Sequence, residues 1–100
     1  MNEAEQEIYL FMKAVMTVIG NDKVGIIAGV TNILASLNIN ILDLSQTIMT
    51  GLFTMTILVD TSKASVSLAE INDRFNEYGK ENDLSIRIQN AEIFNAMHKV

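Results

Sequence analysis

The sequence predicts an α+β fold, a ferredoxin-like βαββαβ sandwich whose four-stranded antiparallel sheet carries two helices on one face, with a short C-terminal helix after it. Three observations lead there. Apolar spacing along the 100 residues alternates between the strand period and the helix period in the order strand, helix, strand, strand, helix, strand. Each helical stretch follows a strand and is long enough to bring the chain back over one sheet face. Thr50-Gly51 supplies a hairpin turn between the middle strands.

Met12–Ile19 is rich in Val, Ile and Thr and too short for a convincing helix. Ala14, Met16 and Val18 share one face, and Val15, Thr17 and Ile19 the other, as expected of a central strand covered on both sides. Gly20-Asn21-Asp22 ends it with turn chemistry. From Val24 the period changes. Ile26, Ile27, Val30, Ile33, Leu34 and Leu37 form one helical stripe, with Asp22 as the expected N-cap. The opposite face, Ala28, Gly29, Asn32, Ala35 and Ser36, carries no charge and is expected to meet another chain or a ligand.

The second strand follows. Ile39 and Ile41 share one parity and Leu42, Leu44 and Ile48 the other, so the strand either starts near Ile41 or contains a bulge. Phe53, Met55, Ile57 and Val59 then face one way, with Thr54, Thr56 and Leu58 opposite. Ser67-Leu68-Ala69-Glu70 fits a capping box ahead of a second helix. Its stripe is Leu68, Ile71, Phe75 and Tyr78, and Gly79 either caps it or is followed by one more turn. Leu84, Ile86 and Ile88 alternate as the last strand, and Ala91–Met97 reads as the terminal helix.

Composition removes several functions. The chain has no Cys and one His, His98, which leaves too few parts for thiolate metal sites, disulfides or a Ser-His-Asp triad. The expectation is no metal, no cofactor and no catalysis. A formal charge of −5 is a poor match to nucleic acid. Glu3, Glu5 and Glu7 rule out a signal peptide at the start, so the expected location is cytoplasmic. Val24–Leu42 has no ionisable residue, yet Asn32, Asn38 and Asn40 would each need a partner in lipid, so no membrane span is expected. The apolar share, 49%, is more than a lone small domain easily hides, which points to a homo-oligomer. Residues 1–11 read as an extension, whether native, a cloning remnant or a misassigned start, and 12–100 as a single domain.

The chemistry concentrates at Gly20–Val30, G-N-D-K-V-G-I-I-A-G-V, and at Asn38–Thr47, N-I-N-I-L-D-L-S-Q-T. With the I-F-x-A-M ending at Ile93–Met97, these motifs resemble the ACT domain, in particular the small bacterial proteins that consist of little else. The resemblance covers Met12 to about Met97. It implies a non-catalytic regulatory module whose copies associate and bind a small ligand, often an amino acid. The ligand would sit between the first strand–helix loop of one copy and the second strand of another. By position the loop residues are Gly20, Asn21, Asp22, Val24 and Gly25, and the strand candidates are Asp43 and Gln46. Val24 stands where many members have Pro, a change that bears on loop rigidity.

The residues make a parallel case. Free N–H groups at the start of the first helix can hold a carboxylate, and Gly25 allows close approach to the backbone. Asp22 or Asp43 can pair with an ammonium, and Asn21 or Gln46 can orient the ligand. Plainer readings stand beside these: Asp22 as an ordinary cap, Gly20 and Gly25 serving turn geometry or packing, Asp43 and Gln46 guarding an edge strand. The alternative function is a protein-interaction module without a ligand, assembling with itself or with a metabolic enzyme or regulator.

Overall fold

A computed structural model describes residues 13–21 and 24–91. The elements are β1 (Lys13–Asn21), α1 (Ile26–Ser36), β2 (Asn40–Met49), β3 (Leu52–Asp60), α2 (Leu68–Asn82) and β4 (Leu84–Asn90). The four strands form one antiparallel sheet in the order β2-β3-β1-β4. This is the expected ferredoxin-like arrangement. The expected terminal helix at Ala91–Met97 and the extension at 1–11 lie outside the described residues, apart from Ala91.

Strand alternation decides what is buried. Ala14, Met16 and Val18 on β1, and Phe53, Met55, Ile57 and Val59 on β3, point into one core with Val30 and Leu34 of α1 and Ile71 and Phe75 of α2. No polar or charged side chain among the described residues is buried with them. On β2 the pairing slips between Ile41 and Asp43, which bulges Leu42 and accounts for the parity change in the sequence. Beyond the bulge Leu44, Gln46 and Ile48 lie opposite Ile57, Met55 and Phe53, on the helix-covered face. Asp43, Ser45 and Thr47 take the other face, together with Thr17, Ile19, Thr54, Thr56, Ser85 and Arg87.

That second face is covered unevenly among the described residues. β1 is central, but the described helices cover a single face, and Ile19 on the other remains 39% exposed. Val15 on that face is nevertheless buried.

The helix ends explain the joints. α1 stops at Leu37 because Asn38 takes a left-handed conformation (φ 59), and the N–H of Ile39 donates to the Leu34 carbonyl at 3.0 Å. The side chain of Asn38 donates to the Lys63 carbonyl at 2.8 Å, fastening this turn to the β3–α2 connection. Ser67 caps α2 as expected, its hydroxyl accepting from the Glu70 N–H at 3.2 Å. Gly79 does not end α2. The helix runs on to Asn82, and an alanine Cβ at 79 would lie 2.7 Å from the Leu84 carbonyl oxygen, so only glycine lets β4 pass this close.

Candidate functional site

The start of α1 differs from the ordinary cap expected there. Gly25, not Asp22, occupies the N-cap position, with φ 89 and ψ 1, and it has no side chain to offer the first turn. Asp22 lies outside the described residues. The carbonyl of Gly25 accepts from the Gly29 N–H at 2.8 Å, which closes the first turn. The N–H groups of Ile26, Ile27 and Ala28 precede that bond and have no partner within the helix, as at any helix start. The first turn contains no acidic residue, so these donors and the helix dipole face outward without a competing carboxylate of their own.

They face a cleft. About 490 Å³ of space is bounded by Gly25, Ile26, Ile27 and Ala28 of the helix start and by Gln46, Ile48 and Phe53 of the β2–β3 hairpin. Gln46 reaches it because it shares the face of Met55 on an outer strand, where no further strand covers it. The walls are aliphatic and aromatic, the donors are backbone N–H groups, and Gln46 is the polar side chain among the lining residues. Such a site can hold a small anion-bearing molecule by its charged end and seat an apolar group beside it.

The expected site residues divide accordingly. Gly25 and Gln46 meet across the cleft. Asp43 lies three residues before Gln46 on β2 and therefore on the opposite sheet face, where its Oδ1 accepts from the Leu44 N–H at 2.9 Å. Asn21 ends β1 opposite Leu52 and is exposed. Val24 is fully exposed beside the cleft. Gly20 has a packing reason, since a Cβ there would run into the Leu84 side chain. Sequence reasoning missed Ile27, Ile48 and Phe53 as lining residues. The signal available for Ile48 was its parity with Gln46 on a strand next to the turn.

The uncharged face of α1 is also partly explained within the chain. Tyr78 of α2 lays its hydroxyl end against Gly29, where a Cβ would collide with it. Ala28, Asn32, Ala35 and Ser36 on that face stay exposed.

A second cleft, of about 440 Å³, lies at the other end of α1 among Ala35, Asn38, Asn40, Asp60, Ser62 and Lys63. Two of its polar side chains are engaged in the turn: Asn38 donates to the Lys63 carbonyl, and Asp60 Oδ1 accepts from the Ser62 N–H at 2.9 Å. That bond and the Ser62 side chain, aided by Lys13 and Lys63, hold the Asp60 carboxyl below its ordinary range. Among the described residues no group of three or more His, Cys, Asp or Glu could hold a metal ion, and no helix is long and apolar enough to cross a membrane.

Comparison with known proteins fits this geometry to a family. The ACT domain family model matches residues 13–89. The chain belongs to the ACT domain family. It is 54% identical over 89 residues to a UPF0237 protein of Listeria innocua, covering 89% of this chain and 100% of that one. A UPF0237 protein of Clostridium acetobutylicum is 55% identical over the same shares. Among solved structures, an ACT domain protein from Streptococcus pneumoniae superposes with a TM-score of 0.73 at 41% identity, covering 83% of this chain and 93% of that one. A putative glycine cleavage system transcriptional repressor matches with a TM-score of 0.69 at 22% identity, over 77% of this chain and 44% of its own, a likeness of fold alone. ACT domains are generally regulatory and bind small ligands, and that general character is what membership establishes here.

Proposed function

We propose that this ACT domain is a non-catalytic, cytoplasmic regulatory module that binds a free amino acid at the cleft between the α1 start and β2, in an assembly of identical copies. The observation that carries the reading is the α1 N-terminus, capped only by Gly25, opening onto an apolar wall that includes Gln46. The ligand carboxylate sits on the free N–H groups of the first turn. Its side chain lies against Ile27, Ile48 and Phe53, which favours an aliphatic amino acid over a charged one. Gln46 contributes an orienting hydrogen bond.

The test is a thermal-shift screen of the amino acids followed by calorimetry. An aliphatic amino acid at 100 times its Kd should stabilise the fold by about 2.7 kcal/mol. Gln46→Ala should weaken binding by about tenfold, the loss of one hydrogen bond, while leaving unliganded stability nearly unchanged because Gln46 is exposed. If no amino acid binds, the sensing proposal fails for that ligand class.

A second reading, an assembly module without a ligand, draws on the apolar side chains left exposed around the same cleft: Ile27 at 38% and Ile48 at 56%, with Val24 beside them. It requires a stable oligomer whose association no amino acid alters.

A further inference from the structure

Two buried apolar side chains stand apart from the core. Val15 and Ala91 are 8% and 6% exposed, yet neither belongs to the cluster packed between the sheet and its helices. Val15 is on the opposite sheet face from Ala14 and Met16, in one row with Leu58 of β3 and Gln89 of β4. Ala91 comes two residues after Gln89, just past the last pair of β4, and there the chain turns helical.

Exposure along this face is graded. On β1 it rises from Val15 through half-buried Thr17 to Ile19 at 39%. On β3 Leu58 is half-buried and Leu52 is exposed, and on β4 Gln89 is half-buried while Arg87 and Ser85 are exposed. Burial therefore collects at the end of the face where β1 begins and β4 ends. Flanking strands alone do not produce this gradient, because Ile19 lies between β3 and β4 just as Val15 does. Leu58 and Gln89 are longer than the Thr54 and Ser85 that flank Ile19, but they are themselves half-buried, so cover lies above all three side chains of the Val15 row.

We infer that residues 92–100 of the same chain dock across this end of the face, with Ile93, Phe94 and Met97 over Val15 and Leu58. The helical turn at Ala91 starts the segment beside the row it covers. At helical spacing Ile93, Phe94, Met97 and Val100 fall on one side, and Glu92, Asn95 and Lys99 on the other. The reach is sufficient. Nine helical residues span about 14 Å, and two strand spacings, from β4 over β1 to β3, amount to about 10 Å. Residues 1–12 enter at the same end, but Ile8, Tyr9, Leu10 and Phe11 are consecutive and make no one-sided helical stripe. The docked segment leaves Ile19 and Leu52 open at the far end of the face. It also leaves the α1–β2 cleft untouched, because that cleft is on the helix side of the sheet.

The chain has no Cys, so single introduced thiols report on the face. In the 100-residue chain, Val15→Cys should react with a maleimide at least tenfold more slowly than Ile19→Cys. Adding Phe94→Asp should raise the rate at position 15 at least tenfold and leave position 19 unchanged, whereas Leu10→Asp should alter neither. Circular dichroism checks that each variant keeps its fold. Cross-linking gives a second measurement that needs no charged substitution. Under a mild oxidant in dilute solution, Val15→Cys with Phe94→Cys or Met97→Cys should close an intrachain disulfide several-fold faster than with Asn95→Cys or Lys99→Cys. A thiol at 15 as reactive as one at 19 overturns the docking, as does protection that survives Phe94→Asp. Exposure on Leu10→Asp instead overturns it in favour of residues 1–12 as the cover. Disulfide-linked dimers in place of the intrachain bond overturn it in favour of a second copy's segment.

Discussion

Gly25→Ala isolates backbone conformation at the candidate site. A Cβ at this position meets nothing within 4 Å, so the substitution introduces no clash. It introduces strain, because φ is 89 and L residues other than glycine rarely adopt a positive φ. The left-handed region costs an alanine about 1–2 kcal/mol. Alanine also narrows the unfolded ensemble, which offsets about 0.4–1 kcal/mol of that cost. The balance is a loss of about 1 kcal/mol, equivalent to a fall of about 4–8 °C in Tm for a domain of this size. Urea unfolding followed by circular dichroism should show a lower midpoint with an unchanged slope, since the surface exposed on unfolding is the same. A midpoint equal to or above that of the parent chain would refute the reasoning. That is the outcome for alanine at an ordinary negative φ, and it would mean that the helix starts without the left-handed turn.

Gly79→Ala probes the opposite situation, with acceptable backbone but no room. Helix propensity favours alanine by about 1 kcal/mol, while forcing a Cβ to 2.7 Å from the Leu84 carbonyl costs about 1–3 kcal/mol, so a net loss in urea unfolding is expected. Thr50 holds φ 54 in the β2–β3 turn, where a β-branched residue is strained, so Thr50→Asn should raise the urea midpoint by the equivalent of about 0.5–1 kcal/mol. Asp60 has a depressed folded-state pKa, set first by the Ser62 backbone hydrogen bond. Its contribution is therefore complete above the unfolded Asp value of about 3.9 and fades as pH falls through the lower folded value. Asp60→Asn should lower Tm at pH 7 and make progressively less difference below pH ~4.

Much of the fold was legible because local signals and the tertiary arrangement agree. The parity slip at Ile41 marked a real bulge, and Ser67 with Glu70 marked a real cap. The end of α2 was ambiguous at Gly79 because glycine is used there for close approach of β4 rather than for termination. The start of α1 was misread for a related reason. An Asp ahead of a helical stripe is a general cap signal, but a glycine in a left-handed conformation can define the first turn three residues later. The uncharged face of α1 looked wholly available, although Gly29 in its middle accommodates Tyr78, a contact set by helix–helix packing that no local pattern carries. At the site, strand alternation alone separates Asp43 from Gln46, since residues three apart point to opposite faces. Ile27, Ile48 and Phe53 were hidden by chemistry: the same residue types fill the core, and only distance from the sheet centre leaves them lining a cleft.

The distribution of charge ties the cleft to assembly. From Val24 to Val59 the sequence has one ionisable residue, Asp43. The fold gathers that stretch as α1, β2 and β3, whereas α2, with its exposed charged side chains, packs beside β4. β2 is thus an outer strand without Lys or Pro, and past the bulge it runs from Ser45 to Met49 with no charge to discourage pairing. The cleft opens along this same strand through Gln46 and Ile48. On the proposed reading, the α1 donors meet the ligand carboxylate and the apolar wall meets its side chain, but none of the described lining residues is acidic. The ammonium therefore needs a partner from the loop before Val24 or from a copy seated along β2. In the second case ligand binding and assembly must strengthen each other by the same factor, because each completes a site the other uses. An uncharged edge is then a requirement of the binding site as much as of the interface: a Lys placed there to guard β2 would repel the ammonium it borders.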